Sequence, residues 1–80
     1  MLKIKDNVDL KELEKYGFNK YGWNYRQTFD YEYYEVVIIV ELDRKNIIIQ
    51  NDYYDSDYAC YIPDVLYDLI KDGLVEKVEE

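Results

Sequence analysis

The sequence contains no histidine, and among its 80 residues it has one serine, Ser56, one threonine, Thr28, and one cysteine, Cys60. The missing histidine removes the usual base near neutral pH and the commonest metal ligand. A serine triad or a Cys–His nucleophile pair cannot be assembled. A single cysteine excludes an internal disulfide and favours a reducing compartment. Cys60 sits between Ala59 and Tyr61 with no cation beside it in sequence. It therefore reads as a small core residue rather than a reactive thiol. Gly17, Gly22 and Gly73 are scattered, so there is no glycine-rich phosphate loop. No apolar run reaches 18 residues, which excludes a membrane-spanning helix. The start, MLKIKDNVDL, turns charged too early for a secretion signal. The expected location is cytoplasmic.

Positive charge is also scarce. Ten Lys and Arg face 18 Asp and Glu, for a net charge of -8. The imbalance is uneven: residues 1–29 carry +2 and residues 30–80 carry -10. Such a field repels nucleic acid and anionic membranes over most of the chain and attracts a basic partner. Its simplest role is solubility.

What is present is apolar and aromatic. The chain is 49% hydrophobic and 18% aromatic, and 11 of its aromatics are Tyr. Mean hydropathy is -0.54. These values exclude both a disordered chain and a greasy one. The length fits one domain, residues 1–80, of a size that is marginally stable by default.

Alternation of Leu2 and Ile4 with Lys3 and Lys5 predicts a short strand over 2–5. Asp9 then caps a helix of about two turns, with Glu12 in the capping-box position and Val8 and Leu13 at hydrophobic-staple spacing. Leu10, Leu13 and Tyr16 form its apolar stripe, and Gly17 stops it. Tyr21, Trp23 and Tyr25 alternate, but Gly22 and Asn24 weaken a strand there. The expectation is a loop over 19–23 and a strand over 24–30. The run YEYYEVVIIVEL, residues 31–42, is the strongest strand, β-branched throughout its centre. Apolar residues on both of its faces imply cover on each side, or helices on one side and a partner on the other. A polar turn, Asp43–Asn46, leads to a return strand from Ile47.

An acidic, Tyr-rich loop follows over 51–58. Pro63 stands at the first position of a second helix, with Leu66, Leu69 and Ile70 as its stripe. Gly73 ends it, and LVEKV makes a last strand. The series Leu10, Leu13, Lys15, Gly17, Phe18 recurs 56 residues later as Leu66, Leu69, Lys71, Gly73, Leu74. The same grammar is used twice: amphipathic helix, glycine stop, apolar re-entry. The expected fold is α+β, a small mostly antiparallel sheet with two short helices packed on one face.

Chemistry is sparse. Carboxylates are too abundant to single out an acid–base pair, although Glu41, at the end of the apolar strand, is the best placed. Asp52, Asp55 and Asp57 imitate a calcium loop but lack its Gly and Glu at the sixth and twelfth positions. Lys20, Tyr21, Trp23, Tyr25 and Arg26 interleave base and aromatic as single-strand binders do, yet the remaining charge is hostile to nucleic acid. No catalytic residue, metal site or cofactor is expected.

Two surfaces remain. One is an aromatic patch around Trp23, Tyr31 and Tyr33, of the kind that carries interface energy. The other is Asp64, Asp68 and Asp72, four apart on one helix face, either solvated or directed at a basic protein.

The opening IKDNVDLKELEKYGF (residues 4–18) and the closing IPDVLYDLIKDGLVEKVE (residues 62–79) resemble the ends of small acidic proteins encoded by phages and prophages of low-GC Gram-positive bacteria. The resemblance covers about 33 of the 80 residues and implies an accessory setting, with no catalytic residue to carry over. The expected function is non-catalytic protein–protein contact, with an unidentified and basic partner or a second copy. The alternative is an acidic nucleic-acid mimic that occupies a DNA-binding cleft.

Overall fold

The computed structural model describes residues 1–32, 34–53 and 62–78, with backbone alone at Asp52 and Tyr53. Tyr33, Cys60 and most of the acidic loop lie outside the described residues. The elements are β1 (Leu2–Ile4), a 3-10 helix (Leu10–Tyr16), β2 (Asn19–Tyr21), β3 (Asn24–Asp30), β4 (Tyr34–Glu41), β5 (Ile47–Tyr53), α1 (Asp64–Lys71) and β6 (Val75–Lys77). All pairings are antiparallel. The α+β class follows, but the strands form two sheets rather than one. β1 and β6 pair as a two-stranded ribbon, and β2-β3-β4-β5 form a four-stranded meander.

The first helix is 3-10, and its apolar spacing gives the reason. Leu10, Leu13 and Tyr16 repeat every three residues, which makes one stripe at three residues per turn and a drifting one at 3.6. Asp9 caps it, its side chain accepting the Lys11 N–H at 3.0 Å. The capping box does not close: Glu12 turns to Lys15 Nζ at 3.0 Å instead. In α1 the helix is α, and its buried stripe is Leu66 and Leu69 with Val65 packed beside them, whereas Ile70, expected in the stripe, is 46% exposed. Pro63 is its N-cap, one position earlier than expected. With ψ at 144° Pro63 is still extended, and its carbonyl accepts the Leu66 N–H at 3.1 Å.

Both helices end identically. Gly17 N–H donates to Glu14 O at 3.2 Å and Phe18 N–H to Leu13 O at 3.2 Å. Gly73 N–H donates to Ile70 O at 3.1 Å and Leu74 N–H to Leu69 O at 3.0 Å. This is the Schellman arrangement, with an apolar contact sealing the crossing.

Residues 19–23 are a strand and a tight turn rather than a loop. Tyr21 pairs with Asn24 across two residues, and Gly22 at φ 53° occupies the first turn position, where a positive φ is required. The glycine that weakened the strand reading is the turn itself. The β4–β5 connection has five residues, one more than expected, because β4 ends at Glu41, where its partner is Asn24 of β3, rather than at Leu42. Lys45 adopts φ 61° there. Its carbonyl accepts Ile4 N–H at 2.9 Å, and its ammonium donates to the carbonyls of Val8 at 2.7 Å and Asp6 at 3.1 Å. Together with the Lys3–Asn46 bridge, this turn joins the ribbon to the meander.

The core gathers Ile4, Leu13, Phe18, Tyr25, Ile38, Val40, Ile47, Leu66 and Leu69. Along β4 the even positions Tyr34, Val36, Ile38 and Val40 are buried. Full burial of each aliphatic side chain is worth about 1.5–3 kcal/mol relative to exposure. No polar or charged residue is buried among the described residues.

Candidate functional site

The odd positions of β4 define a second, outer face of the meander. Strand alternation and register place Tyr21 of β2, Asn24, Arg26 and Thr28 of β3, Val37, Ile39 and Glu41 of β4, and Ile48 and Gln50 of β5 on it. Ile39 stands between Arg26 and Ile48 across the ladder. An open cleft of about 520 Å³ lies at the end of this face near the two hairpin turns. Its floor is Ile39 and Ile48, its wall is Trp23, and its rim carries Glu41, Leu42 and Asp43. Trp23 is 88% exposed, the largest apolar exposure in the described residues. The Gly22 turn projects it, and Leu42 N–H donates to its carbonyl at 3.3 Å, fixing its backbone against the end of β4.

The charged residues that line the cleft are two carboxylates, Glu41 and Asp43. Neither Glu41 nor Asp43 is in an ion pair among the described residues. Asp43 only accepts the adjacent Arg44 backbone N–H, at 2.7 Å. Arg26 stands beside the cleft, its guanidinium 5.4 Å from the Tyr21 ring centroid and its Nε 3.3 Å from Oδ1 of Asn24, which also lines the cleft.

The structure separates the residues of the expected aromatic patch. Trp23 precedes β3 and Tyr31 follows it, so the 7 residues of β3 lie between them, a span of roughly 26 Å. Tyr31 stacks on Tyr34 with ring centroids 4.7 Å apart. Tyr33 lies outside the described residues. Tyr21, Trp23 and Tyr25 do not share a face either: the two-residue turn resets the alternation, and Tyr25 is buried. Burial holds its phenol above the ordinary value of 10.0.

Asp64, Asp68 and Asp72 are all exposed along α1 and its end. Asp72 is engaged: the Tyr16 hydroxyl donates to its Oδ2. That bond, with some burial, raises the Tyr16 pKa above 10.0.

Ile39 and Ile48 were not among the sequence-derived site residues. Their signal was present in the second apolar face of VVIIV and in hairpin register. A four-residue turn sets Leu42 opposite Ile47, whereas the observed register sets Val40 there; the slip of two keeps Ile39 and Ile48 on one face but brings them side by side, which sequence alone does not specify.

No helix among the described residues is long and apolar enough to cross a membrane. A scan of family models finds none that matches the chain, and searches of curated proteins and of solved structures return no match.

Proposed function

We propose that the chain is a non-catalytic binding domain, of the phage accessory kind its two ends resemble, acting by protein contact through the outer face of the meander. Both helices pack on the opposite face in this reading. The observation that carries it is the exposed Trp23 beside Ile48 and the nearly buried Ile39 in one open cleft. Rigid aromatics over a dry floor are what binding energy concentrates on. The experiment is affinity capture from lysate of the native host with wild type, Trp23→Ala, Ile48→Ser and, as a control on α1, Tyr67→Ala. Capture of one protein species, lost with the first two variants and kept with the third, is expected. Capture indifferent to the outer face refutes the reading.

A second reading, the acidic decoy, draws on Asp64 and Asp68, exposed on one face of α1 and in no ion pair among the described residues. It predicts capture lost with Asp64→Asn, Asp68→Asn and Asp72→Asn together.

A further inference from the structure

We infer that the cleft beside Trp23 receives an arginine side chain presented by a basic partner protein. The inference rests on the outer-face reading and names the chemistry the face selects.

Three observations converge. The floor, Ile39 and Ile48, is aliphatic and suits the methylene stem of a long cationic side chain. The wall is an indole with most of its surface open, and a guanidinium stacks on an indole face. The rim holds Glu41 and Asp43, which no cation among the described residues neutralises at ion-pair distance. A planar, delocalised cation with a fork of N–H donors meets all three demands together, whereas a lysine offers a stem and a charge but neither the stacking plane nor the fork. Neither neighbouring arginine lines the cleft, and Arg44, exposed beside Asp43, is in no ion pair among the described residues. Arg26 is turned to Tyr21 and Asn24. All of the cleft but Trp23 and Asn24 comes from the half of the chain that carries -10, and the chain's net charge of -8 favours approach of a basic surface.

A second copy of the chain is the less suitable occupant. A two-fold contact through this cleft would set the same two carboxylates of each protomer against one another.

Trp23 is the only tryptophan, so its emission reports on this cleft alone. The probe is a blocked pentapeptide, acetyl-Gly-Leu-Arg-Leu-Gly-amide. It is titrated into the intact chain beside two analogues in which the arginine is lysine or citrulline, the latter having the same shape without charge. A saturable change in Trp23 emission is expected for the arginine peptide. The response is weaker for lysine and absent for citrulline, and it declines with added salt. Glu41→Gln with Asp43→Asn weakens the arginine peptide about tenfold or more, with far-UV circular dichroism unchanged. Equal responses to arginine and citrulline, an unaffected double variant, or no saturable response up to about 1 mM, the weak end of specific affinities, overturns the inference. If any of these occurs while host-protein capture still depends on Trp23 and Ile48, the arginine assignment fails and the outer-face reading stands. If capture is also indifferent, both fail.

Discussion

Replacing Gly17 by alanine tests how the first helix is locked to the meander. Gly17 lies at φ 92°, where an L-residue is strained by about 1–2 kcal/mol. Alanine also narrows the unfolded ensemble, which returns about 0.4–1 kcal/mol. The decisive contribution is a contact. A Cβ at position 17 would stand 2.7 Å from Gln27 Nε2 and 3.3 Å from Gln27 Cδ. Gln27 lies in β3 between Tyr25 and Phe29, on the core-facing side, and its Oε1 is buried without a hydrogen-bond partner among the described residues. To clear the methyl it must leave its rotamer, at about 0.5–1.5 kcal/mol. The expected loss for Gly17→Ala is therefore roughly 1–2.5 kcal/mol, set by backbone and contact together.

Gly73 supplies the control. It closes α1 at φ 79° with the same hydrogen bonds, and a Cβ there meets nothing within 4 Å. Gly73→Ala should lose only the backbone part, about 0.5–1 kcal/mol. The double variant Gly17→Ala/Gln27→Ala, in a cycle with its single variants, should show a favourable coupling of about 0.5–1.5 kcal/mol. Urea unfolding followed by far-UV circular dichroism is the assay, because Trp23 is too exposed to report on folding. With slopes of about 1–3 kcal/mol/M the difference between the two glycine variants is resolvable as a midpoint shift. Equal losses at Gly17 and Gly73, with no coupling to Gln27, would show that helix and meander are not in contact as described.

Lys45→Met should cost about 1.5–3 kcal/mol, the range for hydrogen bonds to a charged group, because the carbonyls of Asp6 and Val8 lose their ammonium donor. Lys45→Gly, which relieves the positive φ, should recover part of that loss in the same urea assay. Stability should also fall at high pH. Tyr25, through burial, and Tyr16, through its bond to Asp72, have folded pKa values above 10.0. Their contribution is complete below the unfolded value and is lost as pH rises through the raised ones. Thermal melts of Tyr25→Phe and Tyr16→Phe between about pH 9 and 11.5 should each show a flatter alkaline limb than wild type. At the acid end, Lys3 holds the Asp6 carboxyl below 3.8 by hydrogen bond and charge. That stabilisation is present above the ordinary value and disappears as pH falls through the lowered one, and Asp6→Asn should remove it.

The parts of the fold legible in the sequence are those governed by neighbours in the chain. Asp9 as a cap, Gly17 and Gly73 as stops and the β-branched run of β4 all depend on local physics. The echo at 56 residues has a structural counterpart in two matching helix ends, and Tyr16 and Asp72, themselves 56 apart, touch there. The misreadings came where two local rules compete. Gly22 disfavours a strand and favours a tight turn, and only pairing with β3 decides between them. Leu10, Leu13 and Tyr16 fit a loose α stripe and a strict 3-10 stripe, and the strict one prevails. The cleft was least legible because its residues come from positions 23, 39, 41, 43 and 48 and meet only through register.

That convergence bears on whether the outer face is functional or merely tolerated. An antiparallel sheet with one solvated face carries polar residues at alternate positions. Thr28, Glu35 and Gln50 obey this rule on the outer face, whereas Val37, Ile39 and Ile48 break it. Their apolar character is either structural, through packing between neighbouring strands, or held for a partner. Ile47 and Ile48 separate the two. They are adjacent in β5, equally suited to a strand, and point to opposite faces. Ile47 is in the core and 7% exposed, while Ile48 is 36% exposed in the cleft. Threonine keeps the branching at Cβ and so the strand preference. Ile47→Thr places a hydroxyl in a dry core and should cost about 2–4 kcal/mol. Ile48→Thr should cost less, about 1 kcal/mol, since its 36% exposure leaves the new hydroxyl in reach of water. If both cost the same, Ile48 is already doing core work, and its presence beside Trp23 no longer calls for a partner. If Ile48→Thr is nearly neutral to folding yet weakens capture, the apolar cleft is maintained for what binds it.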